Sequence, residues 1–271
     1  MSAVAVTPPL RTGRVTQARV ALSEWTKLRS LRSTRWSFLT AILMTIGFGA
    51  LACAVVANHY SHMDPREQAN FHPLEVNLVG VQVAQLAIGV LGVLVITGEY
   101  STGMIRSTLL AVPKRLPVLW AKAGVFALAT FALLLPSVLV AFFLGQWILS
   151  RHHIETTFGA PHVARAVIGA ALYLTVIGVF ALGLGAIVRN TAGGIATFAG
   201  ILFVLPPLLN VLPSSWNNAI SPYMPSNAGE RILSITHDAH ALSPWAGFGL
   251  FCGYTALALA AAAVLLLRRD A

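Results

Sequence analysis

Six stretches of this sequence, residues 36–57, 78–97, 123–149, 166–188, 191–212 and 244–267, are apolar and contain no Asp, Glu, Lys or Arg. A helix that crosses about 30 Å of hydrocarbon needs about 20 such residues. A charge in the middle of a span costs about 2.5–3.5 kcal/mol on an insertion scale, so six charge-free runs in one chain point to six membrane spans. Composition agrees. Of 271 residues, 56% are hydrophobic and only 10% charged, against about 25% charged in soluble domains. The fold class that follows is all-α: a polytopic membrane protein of six transmembrane helices.

The charges between the runs set an orientation. If the N-terminus is cytoplasmic, the cytoplasmic segments are 1–35, 98–122, 189–190 and 268–271. They hold all of the 18 basic residues except Arg66, Arg151, Arg165 and Arg231. This positive-inside bias places both termini in the cytoplasm and the chain in a multi-pass arrangement, expected in the plasma membrane. The net charge of +9 is thereby accounted for by topology, and nucleic acid is not expected as a partner. The first apolar run follows a long basic stretch and exceeds a signal-peptide core, so it reads as a retained span. Cys53 and Cys252 both lie in apolar runs and form no metal or disulfide motif.

Residues 1–12 read as a flexible cytoplasmic tail, and 13–271 as a single transmembrane domain. Within 14–34, Val15, Ala18, Leu22, Trp25 and Leu28 recur at steps of three and four with basic residues between them. That spacing predicts an amphipathic helix lying in the interface, with Leu22, Glu24, Trp25, Lys27 and Leu28 as its central residues. The fourth and fifth spans are joined only by Arg189 and Asn190, which predicts a tight antiparallel hairpin. Pro206 and Pro207 predict a kink or break in the fifth span. The outer connection 213–243 is open to two readings, short re-entrant helices or a surface loop.

The second cytoplasmic segment is distinct. Met104, Ile105, Leu109 and Val112 recur at helical spacing over residues 99–112, and Pro113 ends the pattern. A short helix outside the bilayer with an apolar stripe suggests a docking surface, for another protein or for the ends of the chain's own spans. Glu99 then reads as an interface carboxylate, pairing with a base of the partner or with Arg106.

Glu99-Tyr100, Thr102-Gly103, Arg106, Leu109-Leu110, Pro113, Arg115 and Lys122 resemble, in order and spacing, the cytoplasmic loop of ABC exporter permeases of the type-2 class, the type V exporters. The start Ser23-Glu24-Trp25-Thr26-Lys27-Leu28-Arg29-Ser30 is similar to the opening helix of that family, and the six-span plan agrees with it. Ile105 departs from the pattern, taking the place of a commoner Thr-Leu step. The resemblance implies a permease subunit with a cytoplasmic coupling helix formed by Glu99, Tyr100, Thr102, Gly103, Arg106, Leu109, Leu110, Pro113 and Arg115. It implies a separate ATP-binding-cassette ATPase subunit that binds ATP and Mg, and a second permease copy, identical or not. Efflux would be driven by closure of the ATPase pair.

The residues are compatible with that. No G-x-x-x-x-G-K-[ST] phosphate loop occurs, so no cofactor and no ATPase activity are expected in this chain. An intramembrane enzyme is the rival class, but neither a Gly-x-Ser-x-Gly turn nor His-Glu-x-x-His occurs. An ion-coupled secondary transporter is the other alternative, and it usually needs charge near the midplane. Gln82 and Gln85 share a face of the second span, suited either to a substrate path or to a bond with a neighbouring helix. Gly249 with Gly253, and Ala196 with Gly200, have the small-xxx-small spacing of close helix packing. His59, His62, His72, His152, His153, His162, His237 and His240 lie outside the spans without a metal-binding spacing, and no metal is expected.

Overall fold

The computed structural model of the chain describes residues 16–69, 71–104, 115–211, 213–236 and 241–268. The expected tail at 1–12, the coupling residues Arg106, Leu109, Leu110 and Pro113, and His237 and His240 lie outside these, as does the side chain of Arg115. Among the described residues the structure is helical throughout. Six helices are long and apolar enough to cross a membrane, and the chain is an all-α, multi-pass membrane protein.

The order is α1 (Gln17–Ser30), α2 (Arg32–His59), α3 (Pro65–Ala69), α4 (Pro73–Asn77), α5 (Val79–Ser101), α6 (Arg115–Ser150), α7 (Val163–Val188), α8 (Thr191–Ala199), α9 (Leu205–Leu209), α10 (Ser214–Ile220), α11 (Pro225–Glu230) and α12 (Pro244–Arg268). The spanning helices are α2, α5, α6, α7, the α8–α9 run and α12. Several extend beyond the apolar runs. The third begins at Arg115 rather than 123, and its 36 residues reach about 54 Å at 1.5 Å per residue, well past the hydrocarbon thickness. Its first two turns therefore stand outside the apolar layer, at the end of the bundle where α1 packs.

Helix α7 is the central post. It is the most buried of the spans and packs on α5, α6, α8 and α12. Small residues let the backbones approach. A Cβ at Gly92 would collide with the Gly178 carbonyl, and one at Gly178 with the Phe126 ring. The spacings picked out from the sequence pack differently. Gly249, Gly253 and Gly200 have open space where a side chain would be, so among the described residues no close helix contact uses them.

The α7–α8 connection is as tight as expected. Arg189 takes a left-handed backbone with φ 57°, and the Asn190 side chain caps α8 by accepting from the Gly193 N–H at 2.9 Å. The guanidinium of Arg189 donates to the Leu265 carbonyl at 3.1 Å and lies 5.3 Å from the centre of the Tyr100 ring. These bonds tie the ends of α5, α7 and α12 together and offset the strained turn.

The fifth span does not break at its prolines. The turn before them, Gly200–Val204, widens into a π-helix in which the Leu205 N–H reaches the Gly200 carbonyl. The wider turn moves the hydrogen-bond register ahead of two residues that have no N–H to give. After it the outer connection folds back as α10 and α11. Ala228, Ile232 and Leu233 are buried, and a Cβ at Gly229 would strike Tyr173 and Phe251. Helix α11 thus packs on α7 and α12, whereas α10 has no buried residue and lies at the surface.

Candidate functional site

Among the described residues, two clusters that include charged side chains stand at opposite ends of the bundle, apart from single buried polar groups such as Asn77 and Gln146. The first lies where α1 crosses the ends of α5 and α6. Glu24 and Val20 form the inward face of α1, and Val20 packs with Val118 and Ala121 of α6. The opposite face presents Ala18, Leu22 and Trp25 away from the bundle, the direction in which lipid lies for an interfacial helix. The amphipathic stripe read in the sequence is thus the outward one, and the inward one carries a charge.

That charge belongs to a group of four linked side chains. Lys122 donates to Glu24 Oε2 at 2.5 Å and to Glu99 Oε1 at 2.8 Å. Lys27 donates to Glu24 Oε1 at 2.8 Å and to Glu99 Oε1 at 3.0 Å. Glu24, Glu99 and Lys122 are each at most 6% exposed. Buried ions persist only when paired and hydrogen-bonded, and two acids against two bases leave the group neutral. Burial opposes the charge of Lys27, but the carboxylates of Glu24 and Glu99 outweigh it and hold the ammonium above its ordinary value.

Glu99, expected from the sequence to pair with a base of a partner or with Arg106, is buried. Its partners are Lys27 and Lys122 of its own chain. It sits in the last turn of α5, which stops because Gly103 takes φ 70°, so Glu99, Tyr100 and Ser101 belong to the span rather than to a separate helix. Thr102, Gly103 and Met104 follow as exposed residues. Beside the four charges is a cavity of about 440 Å³, lined by Leu31, Leu91, Leu94, Val95, Glu99 and Lys122 among others.

The second site is at the far end. The Tyr173 hydroxyl lies 2.7 Å from Gln85 Oε1 and 3.2 Å from Glu230 Oε1. A phenol has one hydrogen. That hydrogen lies within reach of both the Gln85 amide oxygen and the Glu230 carboxyl. Burial raises the Glu230 carboxyl above its ordinary value, and bonds from Tyr173 and Gln85 only partly offset this. Gln82 and Glu230 line an open cavity of about 320 Å³ together with Glu75, Asn227, Arg231 and Ser234. The two glutamines of α5 thus part company: Gln85 is buried in an interhelical bond, and Gln82 faces the cavity.

No family model matches the chain, and no curated protein matches its sequence.

Among the described residues no three His, Cys, Asp or Glu side chains gather as a metal site. His153 and His162 instead take left-handed turns at the two ends of the α6–α7 connection. Sequence reasoning missed Tyr173 and Glu230 as a pair. The available signal was a phenol in the middle of an apolar run, since a buried Tyr hydroxyl needs a partner.

Proposed function

We propose that the chain is the membrane-spanning subunit of an ATP-binding-cassette exporter in the plasma membrane, with both termini cytoplasmic. It moves a substrate across or out of the bilayer with ATP hydrolysed by a separate ATPase subunit, and works with a second permease copy. The observation that best supports this reading is the four-charge group. It ties α1 to the ends of α5 and α6, the two helices that flank residues 105–114. The resemblance places the ATPase contacts in that same segment. Force applied there enters α5 and α6 together and carries α1 with them, since a neutral, buried ion cluster is costly to pull apart.

In this reading the docking contacts come from Thr102, Gly103, Arg106, Leu109, Leu110, Pro113 and Arg115, while Glu99 holds the end of the span in place. The experiment is co-expression with candidate ATP-binding-cassette ATPases, with co-purification and ATP hydrolysis in lipid as readouts. Replacing Arg106 and Leu110 by Glu is expected to abolish co-purification and leave the permease folded. Intact assembly and coupled hydrolysis in that variant would sink the proposal.

The protonatable Glu230 favours one second reading, an ion-coupled secondary transporter. Transport driven by a pH gradient in vesicles holding this chain alone would establish it in place of the first.

A further inference from the structure

We infer that the cavity between α1, α2, α5 and α6 is a binding site for a neutral, hydroxyl-headed amphiphile of the monoacylglycerol or fatty-alcohol kind. The inference goes beyond the exporter reading, because it concerns binding to this chain alone.

The hydrogen-bond inventory of the cavity sets the head group. Glu24 has both carboxylate oxygens engaged, whereas Glu99 places both lysines on Oε1 and leaves Oε2 buried with no partner. Leaving a buried acceptor unsatisfied is costly, more so for a charged one. Two hydroxyls lining the cavity are also turned to accept. Ser101 Oγ and Thr102 Oγ1 each donate to the Gly98 carbonyl, at 3.0 and 2.9 Å, which spends their hydrogens and leaves their lone pairs. Glu99 Oε2 is therefore a buried acceptor in want of a donor, although Ser33, Thr34 and the two lysines on the same walls carry hydrogens of their own.

Charge decides between the classes of donor. The two acids and two bases already cancel. An ammonium head would leave one positive charge uncompensated in a buried site, and a carboxylate or phosphate would face Glu99 Oε2. A glycerol or simple alcohol supplies O–H donors without altering the balance. Much of the remaining wall is apolar: Leu31, Leu91, Leu94, Val95 and Val125 line the cavity beside the hydroxyls of Ser30, Ser33 and Thr34. Its volume of about 440 Å³ lies in the range of small-molecule sites. Helix α1, whose apolar outer face suits the lipid interface where such amphiphiles concentrate, forms one wall of the cavity.

The test uses the purified full chain in phosphatidylcholine nanodiscs. Four probes share one twelve-carbon chain: 1-lauroylglycerol, its di-O-methyl ether, dodecylammonium and laurate. The glyceride is expected to bind about tenfold more tightly than the ether, the difference made by its lost donors, and more tightly than either ion. Leu94→Trp fills the cavity without touching a charge and is expected to abolish binding while the melting temperature holds. Glu99→Gln removes the charged acceptor and is expected to cut the preference for glyceride over ether to below about threefold. Equal binding of glyceride and ether, tighter binding of either ion, or unchanged binding in Leu94→Trp would each overturn the inference. If Glu99→Gln does not fold, the probe series and Leu94→Trp decide alone. None of these readouts involves an ATPase, so the exporter reading stands or falls separately.

Discussion

Lys122 shows at the residue scale what separates a legible sequence from a legible site. It was visible as the base before the third span, and Glu24, Lys27 and Glu99 were each visible too. Their union was not, because only the Glu24–Lys27 pair, three residues apart, has a local spacing; the bonds that close the group join residues 98 and 72 positions apart. Removing one member should be severe. Lys122→Met leaves two carboxylates on one ammonium in a dry setting, and breaking a buried pair in this way costs about 3–5 kcal/mol. A large fall in melting temperature in detergent is expected. The double change Lys122→Met with Glu24→Gln restores neutrality and should regain much of it. If the single change is harmless, the group is more hydrated than its burial implies. Glu230 gives the opposite pH signature to an ordinary carboxylate. Its value is raised by burial, so the fold favours its protonated form. Its stabilising contribution is complete below the usual carboxylate value of about 4.3 and is lost as pH rises through the raised native value. Hydrogen exchange in 225–236 should therefore quicken with pH over that window beyond its intrinsic increase. Glu230→Gln should remove the excess.

At the scale of elements, the six spans were read from apolar runs to within a few residues at most ends. The exceptions have one cause. A helix was taken to stop where charge begins, whereas Glu99 and Lys122 continue α5 and α6 because they neutralise each other across the gap. The π turn at Gly200–Val204 was equally hidden, since proline announces a lost hydrogen bond but not how the backbone recovers it. The small-residue spacings misled for a related reason. Spacing says where two helices are able to touch, not whether a helix stands opposite. Gly92 meets the backbone of α7, whereas Gly253 meets nothing. Gly92→Val should thus cost about 1–3 kcal/mol or more by overpacking against a carbonyl that cannot move aside. Gly253→Val should leave the melting temperature nearly unchanged. Parallel melts of the two variants test this, and equal losses would place a second chain or an undescribed segment against Gly253.

At the scale of the whole molecule, the bundle has a tied end and a pocketed end. At the tied end α1, α5 and α6 share four charges, and α5, α7 and α12 share Arg189. At the other, α11 and the turn before it are held by packing and by bonds from Tyr173 and Tyr254. In the proposed exporter, motion driven by ATP enters at the tied end. Rigid pieces transmit such motion, while their interfaces with the rest of the bundle repack. If α1 and α6 move as one piece, fastening them covalently changes little. Val20 and Ala121 pack in the same small cluster, so Val20→Cys with Ala121→Cys, in a background lacking Cys53 and Cys252, offers a bridge between them. Oxidation is expected to leave ATP-driven transport within about twofold of the reduced protein, as a lock inside a rigid unit should. The contrast is a bridge between the outer segment and the bundle, for example from Tyr223 to Tyr254, whose hydroxyl donates to the Tyr223 carbonyl at 2.9 Å. Cysteines at those two positions joined by a bismaleimide, which spans the gap the tyrosine ring filled, pin the pocketed end, and cross-linking there should arrest transport if the far mouth opens. Arrest by the α1–α6 bridge would instead make α1 a hinge that moves against the spans, and the four-charge group a latch that opens in each cycle.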